Sequence, residues 1–224
     1  MRHLMTEPAG REARPRAIKP LSLPAAERLF AERGVRALSD RQIADAAGRG
    51  DAVTGGPGTK AELVRAITRG FTAEVERSRV AMIAETDSSA GIRDWLRCLI
   101  RPWTDHFSSA GTTYFARLCE QVMVASDLKA VVTTEACRSP SLRQAHRAVL
   151  RSLPALPDDV AAERGQIVGQ VIVHMCADRE RAPADGAAAQ PPSWRDLEAG
   201  LLDALVGIWT APCTRSGSGP GSGR

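Results

Sequence analysis

Ser39-Asp40-Arg41-Gln42-Ile43-Ala44-Asp45-Ala46-Ala47-Gly48 is the stretch from which the fold can be read. Ser39 and Gln42 have capping-box spacing, and Leu38 and Ile43 are placed as a hydrophobic staple. A short helix therefore starts at a defined residue, with Ile43, Ala46 and Ala47 facing inward and Gly48 at its end. Upstream, Ser22 or Pro24 starts another helix. Ala26, Leu29 and Phe30 share its apolar face, and Gly34 closes it. Downstream, Thr59 and Glu62 form a second capping box. From there Leu63, Ile67, Phe71, Val75, Met82 and Ile83 support a helix reaching roughly to Glu85. Between the two capped helices lies Thr54-Gly55-Gly56-Pro57-Gly58. A helix interior there would cost about 1 kcal/mol per glycine and about 3 kcal/mol for the proline. A helix can run over Asp51, Ala52 and Val53 but hardly beyond.

Helical periodicity continues to the C-terminal end. Residues 92–107 place Trp95, Leu99, Trp103 and His106 on one side, with Pro102 expected to kink the helix one turn back. Residues 113–125 carry Tyr114, Leu118, Gln121 and Val122 at helical spacing. Residues 131–150 read as one more polar helix, and residues 159–181 carry Ile167, Val171 and His174 beside Val168, Ile172 and Met175. A loop follows over 181–192. Ser193 then caps a last helix with a wide stripe of Leu197, Leu201, Leu202, Leu205, Ile208 and Trp209. Residues 1–20, rich in Arg, Pro and Gly, read as a flexible basic arm. Residues 211–224 read as a disordered Gly/Ser tail. The expected organisation is a small helical domain over 21–70 and a larger bundle over 71–210.

The chain is 43% hydrophobic and only 4% aromatic, with Ala, Leu, Arg and Glu prominent, which suits an all-α core. No apolar run is long enough for a membrane span, and no signal core opens the chain, so a cytoplasmic location is expected. Five widely spaced cysteines lack metal-ligand or disulfide-framework spacing. The net charge of +4 is uneven: residues 1–20 carry +3, residues 21–70 carry +2, and the remainder −1. Any contact with nucleic acid is therefore expected at the N-terminal end.

Three blocks carry a resemblance. They are Ala26-x-x-Leu29-Phe30-Ala31-Glu32-Arg33-Gly34-Val35, Ser39-x-x-x-Ile43-Ala44-x-Ala46-Ala47-Gly48 and Gly58-Thr59-Lys60-Ala61-Glu62-Leu63. With their spacing, this pattern resembles the TetR family of bacterial regulators. The resemblance implies an all-α homodimer with three N-terminal helices of helix-turn-helix type. It also implies a C-terminal bundle that holds a small molecule and dimerises through its last two long helices. Arg49, Asp51, Thr54 and Lys60 are then the candidate DNA contacts. Gly55, Gly56 and Pro57 depart from the family, which commonly has an aromatic, a polar residue and Phe there. A recognition helix of about one turn offers few side chains to base edges, so sequence-specific DNA reading is expected to be weak.

No phosphate loop, nucleophile elbow or zinc-peptidase motif is present, so neither metal nor cofactor is expected. The chemistry rests on polar groups among apolar ones. Trp103, His106, Phe107, Tyr114, Arg117, Gln121, Met123 and His174 are the candidate ligand-binding residues, suited to an apolar or aromatic metabolite. The expected cavity lies between the helices over 92–107, 113–125 and 159–181. Two functional classes follow. One is a small-molecule-binding protein with impaired DNA reading, in which His106, Tyr114, Glu120 or His174 could shuttle protons as a cofactor-free isomerase, dehydratase or cyclase. The alternative is an ordinary ligand-responsive repressor.

Overall fold

The computed structural model describes residues 23–46, 59–87, 89–182 and 192–213. All of the expected basic arm, and the Gly/Ser tail beyond residue 213, lie outside the described residues. So do Arg49, Asp51, Thr54 and the Gly55-Gly56-Pro57 segment. The described residues form nine helices and no strand: α1 (Leu23–Arg33), α2 (Asp40–Ala46), α3 (Lys60–Glu85), α4 (Ile92–Ala110), α5 (Phe115–Met123), α6 (Ser126–Cys137), α7 (Pro140–Arg151), α8 (Asp158–Arg181) and α9 (Trp194–Thr210). None of them is long and apolar enough to cross a membrane. The fold is all-α.

Local signals set most boundaries. Gly34 ends α1 at φ 92°, donating its N–H to Phe30 O at 2.9 Å, a backbone region that only glycine enters cheaply. Ser39 and Gln42 exchange capping-box bonds at the start of α2. Thr59 and Glu62 do the same for α3, and Asp40 Oδ1 accepts the Lys60 N–H at 2.9 Å. That last bond ties the first turns of α2 and α3 together. Ser193 and Asp196 form the box that starts α9.

One expected helix is two. Residues 131–150 break at Arg138 and Ser139, because Pro140 has no N–H to continue α6 and instead opens α7 at its first turn. Ser139 Oγ accepts the Leu142 N–H at 3.0 Å, and Glu76 of α3 bonds both Ser139 Oγ and the Ser141 N–H. The helix expected over 113–125 is also shorter, with Tyr114 and Val124 as caps.

Pro102 sits inside α4 and leaves the carbonyl of Cys98, four residues earlier, without a helical donor. Arg79 supplies one: its Nε donates to Cys98 O at 3.0 Å. Arg79 is 2% exposed, and burial lowers its pKa. A charged side chain on α3 thus repairs the backbone of α4.

Two buried clusters hold the helices. The first joins Phe30, Val35, Leu38 and Ile43 to Leu63, Ile67 and Phe71 of α3, Phe107 of α4, Leu118 and Val122 of α5, and Cys176 of α8. The second joins Leu96 and Ile100 to Val149, Val168, Leu201, Leu205 and Trp209. Arg164, 8% exposed, donates to the carbonyls of Trp209 at 2.7 Å and Ala211 at 2.6 Å. It caps the α9 C-terminus, where a cation suits both the free carbonyls and the helix dipole. Helix α3 runs unbroken through residue 70, so the N-terminal helices and the bundle share the first cluster.

Candidate ligand cleft

A cleft of about 820 Å³ opens between α1, α3, the end of α4 and the start of α5. Its apolar floor is Ile67 and Phe71 of α3 with Phe115 of α5. The Phe71 and Phe115 rings stack at 3.8 Å between centroids, backed by Trp103 edge-on to Phe71 at 4.9 Å. Its polar wall is Glu27, Glu74, His106, Tyr114 and the Thr112–Thr113 connection. The volume falls in the range of small-molecule sites, and the mix of aromatic floor and few polar groups is typical of them.

Each polar group is held from its own helix. Glu74 lies one turn beyond Phe71 on α3, and its Oε2 meets His106 Nδ1 at 2.9 Å. Glu27 lies one turn before Phe30 on α1, and its Oε1 accepts the Tyr114 N–H at 3.1 Å. Behind it, Glu180 of α8 accepts the N–H groups of Ala116 at 3.3 Å and Arg117 at 2.9 Å. Carboxylates from α1 and α8 thereby satisfy amides at the first turn of α5, which no intrahelical carbonyl can reach. Burial pushes the Glu27 carboxyl up to about 7. Its bond from Tyr114 opposes this, while the like charges of Glu180 and Glu74 add to it. Burial also raises Glu180, against its three hydrogen bonds to α5 and its N-terminal flank and the charge of Arg117. The adjacent Cys119 and Cys176 thiols are likewise pushed up by burial, so they stay neutral.

A second set of bonds fastens α5 to α1. Gln121 Oε1 accepts the Val35 N–H at 2.7 Å, and Gln121 Nε2 donates to Ala31 O at 3.2 Å. Arg117 also donates to Ala31 O, at 3.1 Å, and its guanidinium lies 5.6 Å from the Tyr114 ring centre. The last turn of α1 and the chain leaving it are thus gripped by one face of α5.

Among the expected ligand residues, His106 and Tyr114 line this cleft. Trp103, Phe107 and Met123 belong to or pack on the first core cluster, with Phe107 fully buried. Arg117 and Gln121 serve the α1 joint. Glu120 and His174 lie apart from the cleft. Glu120 is held by Arg181 at 2.5 and 3.1 Å and by His174 Nδ1 at 2.9 Å. The Arg181 fork holds the Glu120 carboxyl below the usual range. The ground between α4, α5 and α8 is occupied by Phe107, Leu118, Cys119, Val122 and Cys176, all in one buried cluster. The cleft lies instead beside α1.

Glu27, Glu74 and Glu180 were not among the sequence candidates. Their signal was present: each is a carboxylate at helical spacing from buried residues. Glu180 follows Val173, Cys176 and Ala177 at i+7, i+4 and i+3. Glu27 precedes Phe30 and Ala31 at the same intervals, and Glu74 follows Phe71 and Ile67.

Residues 97–207 match the family model of the tetracyclin repressor-like, C-terminal domain. The match runs from the first turns of α4 into the last turns of α9, so the helical bundle is similar to that C-terminal domain. No curated protein matches the chain.

Proposed function

We propose that this protein is a TetR-like small-molecule-binding protein of the cytoplasm whose ligand occupies the α1/α3/α4/α5 cleft and whose sequence-specific DNA reading is weak. The observation that carries the ligand-binding part is that one cleft is walled by both α1 and the bundle. The bonds of Glu27, Arg117 and Gln121 hold α1 to the helix that starts at that wall. A ligand that displaces the start of α5 is therefore coupled to α1 through those bonds. Weak DNA reading rests on Gly55-Gly56-Pro57 standing where the family has two packing aromatics. Residual binding is phosphate-driven and falls steeply with salt.

The α8 side chains Ile167 and Met175 are 40% and 43% exposed, which supports homodimerisation through α8 and α9. Sedimentation at micromolar concentration tests this, with a monomer as the refuting result.

The bonded joint between α5 and α1 favours a second reading, the ordinary ligand-responsive repressor. Polarisation measurements on DNA from upstream of the protein's own gene, with unrelated DNA as competitor, separate the two. Weak binding without sequence preference supports weak DNA reading. A specific nanomolar complex released by a small molecule establishes the repressor. Of the four proton-shuttle candidates, Glu120 and His174 are engaged with Arg181 away from the cleft, and only His106 and Tyr114 line it, so proton-transfer chemistry draws less support than binding.

A further inference from the structure

We propose that the cleft selects a lipophilic ammonium ion, with the cation held between Glu27 and Glu74 and its hydrocarbon body on Phe71 and Phe115. This deepens the ligand-binding reading above and rests on it.

The charges that face the cleft set the class. Among the described residues, Glu27 and Glu74 are its two carboxylates and Arg28 is its one permanent cation. Arg28 is already committed to Glu32 at 2.7 Å and has its side chain 62% exposed. Arg117 lies against the Tyr114 ring outside the cleft lining and donates to Ala31 O. An anionic ligand would enter against both carboxylates, and among the described residues no unpaired cation lines the cleft to receive it.

A neutral apolar ligand fares only somewhat better. Glu27 uses one oxygen for the Tyr114 N–H, while Oε2 has no hydrogen-bond partner among the described residues. Covering a half-buried carboxylate oxygen with hydrocarbon removes its remaining water and returns nothing. A protonated amine reverses that balance. Its N–H donates a charge-assisted bond to Oε2, it offsets the repulsion between Glu27 and Glu74, and its alkyl and aryl groups bury against the stacked phenylalanines. Burial favours the neutral form of Glu27, so an ammonium beside it compensates the charge that desolvation disfavours.

The test uses three probes sharing one ring: (1-naphthylmethyl)dimethylammonium, its neutral carbon counterpart 1-isobutylnaphthalene, and 1-naphthylacetate. Binding to the full chain is read by naphthalene fluorescence near neutral pH. The ammonium is expected to bind at least roughly tenfold tighter than the neutral probe, the worth of one hydrogen bond to a charged group at a partly wet site. The acetate should bind weakest. Glu27→Gln and Glu74→Gln should each erode the ammonium preference, and the double variant should lose it while still binding the neutral probe. Glu74 is 53% exposed, so its variant keeps the test available if Glu27→Gln folds poorly. If the neutral probe binds as tightly as the ammonium and competes with it, the cation proposal fails and the ligand-binding reading stands. If the double variant keeps the ammonium preference, the cation sits elsewhere and the proposal fails. If no probe binds, the proposal falls together with its premise.

Discussion

Replacing Glu27 by Gln should stabilise the protein at neutral and alkaline pH, although it removes a charge that accepts a hydrogen bond. Glu27 is held mainly by burial at about 7, against an ordinary value of 4.5. The folded chain therefore binds this proton more tightly than the unfolded chain does. The associated stability is fully present below 4.5, declines as pH rises, and is gone above about 7. Converted at roughly 1.4 kcal/mol per pH unit, the ceiling is about 3 kcal/mol. Partial solvation of the wall reduces the expected effect to roughly 1–2 kcal/mol. The amide oxygen of the variant can still accept the Tyr114 N–H, so the cap on α5 survives. Urea unfolding of both proteins across pH should show midpoints that coincide in acid. They should separate through the window from 4.5 to about 7, then run parallel with the variant more stable and the slope unchanged. Groups that do not interact with Glu27 titrate equally in both proteins and cancel in the difference; Glu180 and Glu74, whose charges oppose its ionisation, ionise more readily in the variant and add to the same trend. Equal stability above neutral pH, or a variant less stable there, would refute the claim that Glu27 is a carboxylate kept at a cost. A residue kept at a cost to stability beside a cleft is what a binding role requires.

Two further substitutions test how the helices are joined. Arg79→Met strands the Cys98 carbonyl and should cost roughly 1–3 kcal/mol in urea unfolding. In a Pro102→Ala background the restored N–H can serve that carbonyl, so the same change should cost at least about 1 kcal/mol less; additive effects would show that Arg79 does not repair α4. Gln121→Leu leaves the Val35 N–H, in a residue 1% exposed, without its acceptor. It should cost roughly 1–3 kcal/mol, and hydrogen exchange at Val35 should rise well above that of α9, whereas unchanged protection would mean the α1–α5 joint does not depend on Gln121.

The fold was legible because its determinants are local. Capping boxes at Ser39, Thr59 and Ser193 each involve residues three apart, and the stripes of α3 and α9 repeat within one helix. The break at Ser139 was missed although Pro140 stood in plain view, because the apolar spacing across it continues in near register and only the absent N–H divides α6 from α7. For the aromatic and polar residues over 103–123, periodicity could not say which faced a cleft and which a neighbour. Gln121 reads as a pocket residue by spacing, yet it spends both ends of its amide on the backbone beside α1.

The cleft itself is a tertiary fact. Glu27, Glu74, His106 and Tyr114 come from four separate parts of the chain, and no window of sequence contains their meeting. Helix α1 places Glu27 against the start of α5 because Phe30 and Val35 are buried in the same cluster as Phe71 and Phe115. The sequence by itself determined where the helices with capping boxes begin and that the chain is an all-α protein, since those outcomes depend on residues within a turn or two. Which carboxylates lose water, and therefore which of them carry chemistry, was decided only by packing, because desolvation is set by every group that folds around a side chain and not by its neighbours along the chain.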